Sequence, residues 1–154
     1  FFTLPSEDNP VLIPQPLEPG EVVDLGGRKI QALPVEHSVP AQGYAVTSST
    51  GATLAFSGDT GAGPVFWRAL NALDQLDYLL VECAYPEAEA QLASAARHYT
   101  PTTLLADLER LDHSPDVSVI HLKPGSEQLI GEQLKRLASG RSFRLLQSGD
   151  HISL

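Results

Sequence analysis

The hydrophobic period of this chain changes once, at Asp59, and that change limits the folds open to it. Before Asp59 the apolar residues alternate in short stretches: EVVDL at 21–25, RKIQALPVE at 28–36, GYAVTSS at 43–49 and TLAFS at 53–57. Gly26-Gly27 and Thr50-Gly51 separate neighbouring stretches, as turns between antiparallel strands do. After Asp59 the spacing becomes three and four. PVFWRALNALDQ at 64–75, residues 87–96, PTTLLADLERL at 101–111 and SEQLIGEQLKRLA at 126–138 each read as a helix. Pro64 and Pro101 suit first helical turns, and Thr100 and Ser126 stand where caps belong. DYLLVEC (77–83) and VSVI (117–120) are nearly unbroken apolar runs, as expected of strands covered on both faces. FRLLQ (143–147) and HISL (151–154) read as closing strands around the turn Ser148-Gly149-Asp150. Antiparallel strands followed by strand–helix alternation predict a mixed α/β sheet.

At 154 residues, with 42% apolar and 19% charged, the chain has the makings of one globular domain rather than a disordered segment. No internal repeat divides it, so residues 1–154 read as a single domain. Residues 1–20 hold five of the twelve prolines and read as an irregular arm. The net charge of −9, with no basic run, argues against nucleic acid as a partner, while local acid favours divalent cations. The one cysteine, Cys83, forms no intrachain disulfide. No apolar stretch reaches the roughly 20 residues that cross a bilayer, and no basic segment leads an apolar one. These features predict a cytoplasmic location and no membrane partner.

Four polar residues stand at strand ends: His37, Asp59, Glu82 and His121. Ligands gather at strand ends in α/β sheets. Imidazole and carboxylate are the donors that zinc and related ions take, so His37, Asp59 and His121 are candidate metal ligands. In AFSGDTG (55–61), Gly58 and Gly61 leave room around Asp59 for an ion and its waters. The competing reading of that heptapeptide is a plain turn. His98, in ARHYTP just before a helix, is either a site residue or an exposed loop residue; His113 and His151 receive no role.

The combination VEHSVPAQGY (35–44), FSGDTG (56–61), LLVECAY (79–85), RHYTPTTLLADL (97–108) and VIHLKPG (119–125) resembles the C-terminal portion of the metallo-β-lactamase superfamily. Within it, His-x-Thr-Pro before a Leu-Leu helix, then His-Leu-Lys-Pro, is most similar to the class II cyclic-nucleotide phosphodiesterases. The resemblance implies part of an αββα sandwich, mainly its C-terminal sheet and helix layer. It implies two divalent ions, zinc first and manganese or iron next, with His37, Asp59 and His121 as ligands and Asp59 bridging. It gives His98 the proton-donating place at the scissile phosphate, Glu82 the orienting place behind it, and Lys123 a place near the substrate phosphate. The implied reaction is hydrolysis of a 3′,5′-cyclic nucleotide to the 5′-monophosphate. A ribonuclease Z-like nuclease or a phosphonate or phosphorylcholine diesterase is the alternative, and a catalytically inactive half-domain is another.

One departure matters. The superfamily's His-x-His-x-Asp-His loop has no counterpart in residues 1–36, which contain no histidine. The chain opens on Phe1-Phe2 and lacks methionine. The expectation is therefore an incomplete domain, completed by an upstream segment or fragment or paired as a homodimer. Strands 53–57 and 77–81 should then carry apolar side chains on an uncovered face.

Overall fold

The computed structural model describes residues 5–6, 8–138 and 140–154. Two short strands, β1 (Pro5–Ser6) and β2 (Asn9–Pro10), pair with each other, so the proline-rich arm is not wholly irregular. The main body is a seven-stranded sheet of β3 (Val22–Leu25), β4 (Arg28–Pro34), β5 (Gln42–Thr47), β6 (Thr53–Phe56), β7 (Tyr78–Glu82), β8 (Asp116–Ile120) and β9 (Arg144–Leu145). The strands lie side by side in chain order. Pairing is antiparallel from β3 to β6 and parallel from β6 to β9. The switch falls at Asp59, where the period changes. Links of two to seven residues join the strands before it, whereas each parallel step after it needs a crossover.

Those crossovers carry α1 (Pro64–Asn71), α2 (Ala90–Ala96), α3 (Pro101–Leu108) and α4 (Glu127–Leu137). Phe66, Trp67 and Leu70 of α1, Leu104 and Leu108 of α3, and Ile130 and Leu134 of α4 form one buried cluster with Leu33, Ala45, Ala55, Leu79, Val81 and Val119 of the sheet. These sheet residues alternate with a second set that registers across the strands. Ile30, Val46, Leu54 and Tyr78 make one row; Ala32, Tyr44, Phe56 and Leu80 make another. Apart from Ala32, both rows are only partly covered, and Phe56 is 39% exposed. The helices thus cover one face of the sheet, and the other face is apolar and open among the described residues.

Local chemistry explains most boundaries. Thr100 caps α3 by accepting from the Thr103 amide, and Thr103 answers by accepting from the Thr100 amide at 2.9 Å. Asp77 fixes where three strands begin. Its carboxylate accepts from the Thr53 amide at 2.8 Å, and its backbone carbonyl accepts from the Asp116 amide at 2.8 Å.

Some expectations fail for equally local reasons. Residues 151–154 form no strand, and at 143–147 only Arg144–Leu145 pairs with β8, because a turn at 147–150 closes on its own bond between the Gln147 amide and Asp150. Residues 87–96 split into a 3₁₀ turn, Glu87–Glu89, and α2. Ser126 stands at the start of α4, but its side chain makes no capping bond.

Candidate metal centre

Strand direction alone gathers the site. β4 and β6 are each antiparallel to β5, and β6, β7 and β8 are parallel, so β4, β6, β7 and β8 all end at the same edge. His37 follows β4, Asp59 follows β6, Glu82 closes β7 and His121 follows β8. His98 arrives from the link between α2 and α3.

At that edge His37, Asp59 and His98 each offer one donor atom, and all three atoms lie within 4.8 Å of one another. His121 stands beside this set: its Nδ1 is 3.5 Å from Asp59 Oδ1, and its ring stacks on that of His98 with centroids 5.5 Å apart. All four residues meet, but the tightest trio contains His98, which the resemblance casts as proton donor, rather than His121.

Each imidazole in the trio is held from behind. His37 Nδ1 donates to the Arg97 carbonyl at 3.0 Å. A carbonyl only accepts, so this bond puts the proton on Nδ1 and leaves the lone pair on Nε2. His98 Nδ1 meets Glu82 Oε1 at 2.7 Å, which leaves its Nε2 free as well. Glu82 itself is 0% exposed. Besides His98, its carboxylate accepts from the backbone amides of Thr60 at 2.7 Å and of Tyr99 and Ala84 at 3.2 Å. Burial pushes the Glu82 pKa up to about 7, against the pull of those amides and of the His121 charge.

Glycine and two strained residues make the geometry possible. Gly58 has φ +60, and a Cβ there would stand 2.7 Å from the Gln42 carbonyl oxygen. A Cβ on Gly61 would stand 2.8 Å from the Arg97 carbonyl carbon. The Asp59 loop therefore presses directly on the backbone group that orients His37. Arg97 and His121 both hold φ 56, in the left-handed region that residues with a Cβ seldom adopt. Arg97 gains a helix-ending turn after α2, with its amide bonded to Ala93 and Ser94. At His121 the turn bends the chain out of β8 immediately beside Asp59.

Residues with no obvious sequence signal complete the support. Asp107 on α3 is buried, and its Oδ2 accepts from the Tyr99 hydroxyl at 2.9 Å and the Gly63 amide at 2.8 Å. The same hydroxyl accepts from Trp67 Nε1 at 2.9 Å. Asp107 thereby ties the Asp59–Gly63 loop to the residue after His98. Lys123 reaches the rim of the site, where it donates to the Glu89 carboxylate and lies 5.3 Å over the Tyr85 ring. His113 and His151 lie outside this cluster.

The donor chemistry fits a divalent ion of the zinc type. Two imidazoles with Nε2 free and one carboxylate are what such an ion takes, and carboxylate or carbonyl partners behind the rings are its usual outer support.

The family model described as "Beta-lactamase superfamily domain" matches residues 2–142. This chain belongs to the beta-lactamase superfamily. No curated protein matches it. Solved structures of the same fold include the metallo-beta-lactamase fold protein YhfI from Bacillus subtilis, with 18% identity and a TM-score of 0.70 over 87% of this chain and 53% of that one. Human tRNase Z, short form, has 16% identity and a TM-score of 0.61 over 85% and 45% of the two chains. A diphosphatase from the PhnP family has 20% identity and a TM-score of 0.55 over 84% and 44%. The chain spans about half the length of these superfamily members. The seven-stranded sheet with helices on one face is the part of the superfamily fold that it holds. No helix among the described residues is long and apolar enough to cross a membrane.

Proposed function

We propose that this chain carries part of the centre of a metal-dependent phosphodiester hydrolase. The observation that supports the reading best is the convergence of His37, Asp59, His98 and His121 at one edge of the sheet, with the His37 and His98 rings oriented from behind. In this reading His37, Asp59 and His121 would hold the ion, zinc first by donor type. A bound divalent ion supplies a water of lowered pKa and neutralises charge on the phosphoryl group. His98 presents Nε2 to the leaving oxygen and gives up a proton there. Glu82 keeps that ring in one orientation and balances the charge of the imidazolium. Lys123 stands at the rim over the Tyr85 ring, with its ammonium paired to Glu89. Any second ion would need ligands from outside these residues, since the described residues offer one such cluster.

The substrate in this reading is a 3′,5′-cyclic nucleotide, on the strength of the RHYTP and HLKP motifs. A nuclease or diester hydrolase stands equally close, because a tRNase Z and a PhnP-family diphosphatase share the fold. The net charge of −9 weighs against tRNA. The test is metal analysis of the purified chain, followed by assays on cyclic AMP, a tRNA precursor and a phosphorylcholine diester. Bound zinc with turnover of cyclic AMP supports the first reading. Turnover of either other substrate alone moves it to that class. Absence of both metal and turnover, with an upstream segment supplied, overturns it in favour of an inactive half-domain.

The role of His98 has its own discriminator. His98→Asn is expected to keep the metal and lower turnover by about 10²–10⁴-fold, the usual contribution of a positioned acid. Loss of the metal instead would make His98 a ligand.

A further inference from the structure

Lys123 is not free to meet an anion. Its ammonium donates to the Glu89 carboxylate, and both side chains are partly exposed at the rim. The Lys123 backbone is fixed to the end of β7, with its amide donating to the Ala84 carbonyl at 3.0 Å. Its ammonium lies 5.3 Å over the Tyr85 ring, and that ring is 5.6 Å from the ring of His98. The pair is thus one aromatic ring away from the candidate centre. Glu89 immediately precedes α2, and its side chain makes no capping bond to that helix. Its carboxylate is turned to Lys123 instead.

We propose that Glu89 is a specificity-determining residue: it cancels the Lys123 charge, so that the site admits a singly charged phosphodiester and disfavours a doubly charged phosphate monoester. This rests on the hydrolase reading above. An anion at the rim gains Lys123 only by displacing Glu89, and the displaced carboxylate still repels it. Coulomb repulsion scales with the charge of the incoming group. A diester carries one negative charge, whereas the monoester that its hydrolysis yields carries nearly two at neutral pH. Glu89 therefore opposes the product more than the substrate and favours its release.

The experiment compares the metal-loaded chain with Glu89→Gln and with Glu89→Gln/Lys123→Gln. Bis(p-nitrophenyl) phosphate serves as the singly charged substrate and phenyl phosphate as the doubly charged ligand. Phenyl phosphate is read both as inhibitor and by calorimetric binding. An exposed pair has a small effect, so Glu89→Gln is expected to lower KM for the diester about twofold and tighten phenyl phosphate about fivefold. The double variant should lose the selective gain. Equal changes for both ligands, or none, overturn the proposal while leaving the hydrolase reading intact. If the chain fails to hydrolyse the diester, selective tightening in calorimetry still supports the role of Glu89, and an unchanged phenyl phosphate affinity overturns it.

Discussion

Asp59 and Glu82 are both carboxylates at strand ends, but their surroundings give them opposite work. Asp59 is partly exposed and faces His121 at 3.5 Å, so it is open to an ion. Glu82 is sealed, with three backbone amides and one imidazole around it. Asp59→Ala is therefore expected to abolish metal binding, measured by metal analysis after dialysis. Glu82→Gln should keep the metal and lose turnover, because it loosens a ring rather than removing a ligand. Gly61→Ala tests the neighbouring contact. Its new methyl would collide with the Arg97 backbone, at a cost of about 1–3 kcal/mol by the usual penalty for overpacking. It should also weaken metal affinity, because the displaced Arg97 carbonyl no longer aims His37. Urea unfolding and metal titration on the same variant check both halves. The sequence shows His37, Asp59, Glu82, His98 and His121 as candidates because each is a chemically distinctive residue at an element boundary. It does not show the Arg97 carbonyl, since a backbone group carries no residue signature. Nor does it show Asp107, which sits in an ordinary amphipathic helix and becomes visible only when Tyr99 and Gly63 converge on it.

Helix ends and strand starts differ in how strongly they are specified, and the differences are measurable. The reciprocal bonds of Thr100 and Thr103 lock the start of α3, which begins three residues after His98. Thr100→Ala should cost about 1 kcal/mol, the usual value of such a cap. Ser126→Ala should cost close to nothing, because Ser126 makes no capping bond in α4. Comparison of the two urea midpoints decides the matter. Asp77 does the corresponding work for strands. The Thr53 amide, then the Gln75 side chain, hold its pKa below the ordinary aspartate value of 3.8. A carboxyl depressed in the folded state favours folding above its unfolded pKa. That contribution is lost as pH falls from about 3.8 towards the lower folded value. Asp77→Asn should therefore be less stable at neutral pH and show a shallower loss on acidification below about pH 4. Elements with strong periodicity and a proline in the first turn, such as α1 and α3, were legible in the sequence. The end of the chain was not, because HISL has strand-like composition but the Asp150 turn leaves it no neighbouring strand to pair with.

At the scale of the whole molecule, the sheet has two unlike faces. One is sealed by α1, α3 and α4. The other offers Ile30, Val46, Leu54 and Tyr78 in one row and Tyr44, Phe56 and Leu80 in the next, all at least partly exposed. Alternation would normally place polar residues on a face meant for water. Apolar rows that register across four strands instead mark a face that packs against something. A second copy of this chain is the cover available in a purified sample. The 154 residues alone are therefore expected to self-associate at micromolar concentration, as read by sedimentation velocity. Phe56→Lys combined with Leu80→Thr should shift the population to monomer while urea unfolding stays cooperative, since neither side chain belongs to the buried cluster. A wild-type chain that is monomeric and does not bind a hydrophobic dye would contradict this, for it would mean that the face is already covered in solution. Addition of a separately expressed segment carrying the superfamily's histidine loop should compete with self-association, because both would occupy the same rows of side chains.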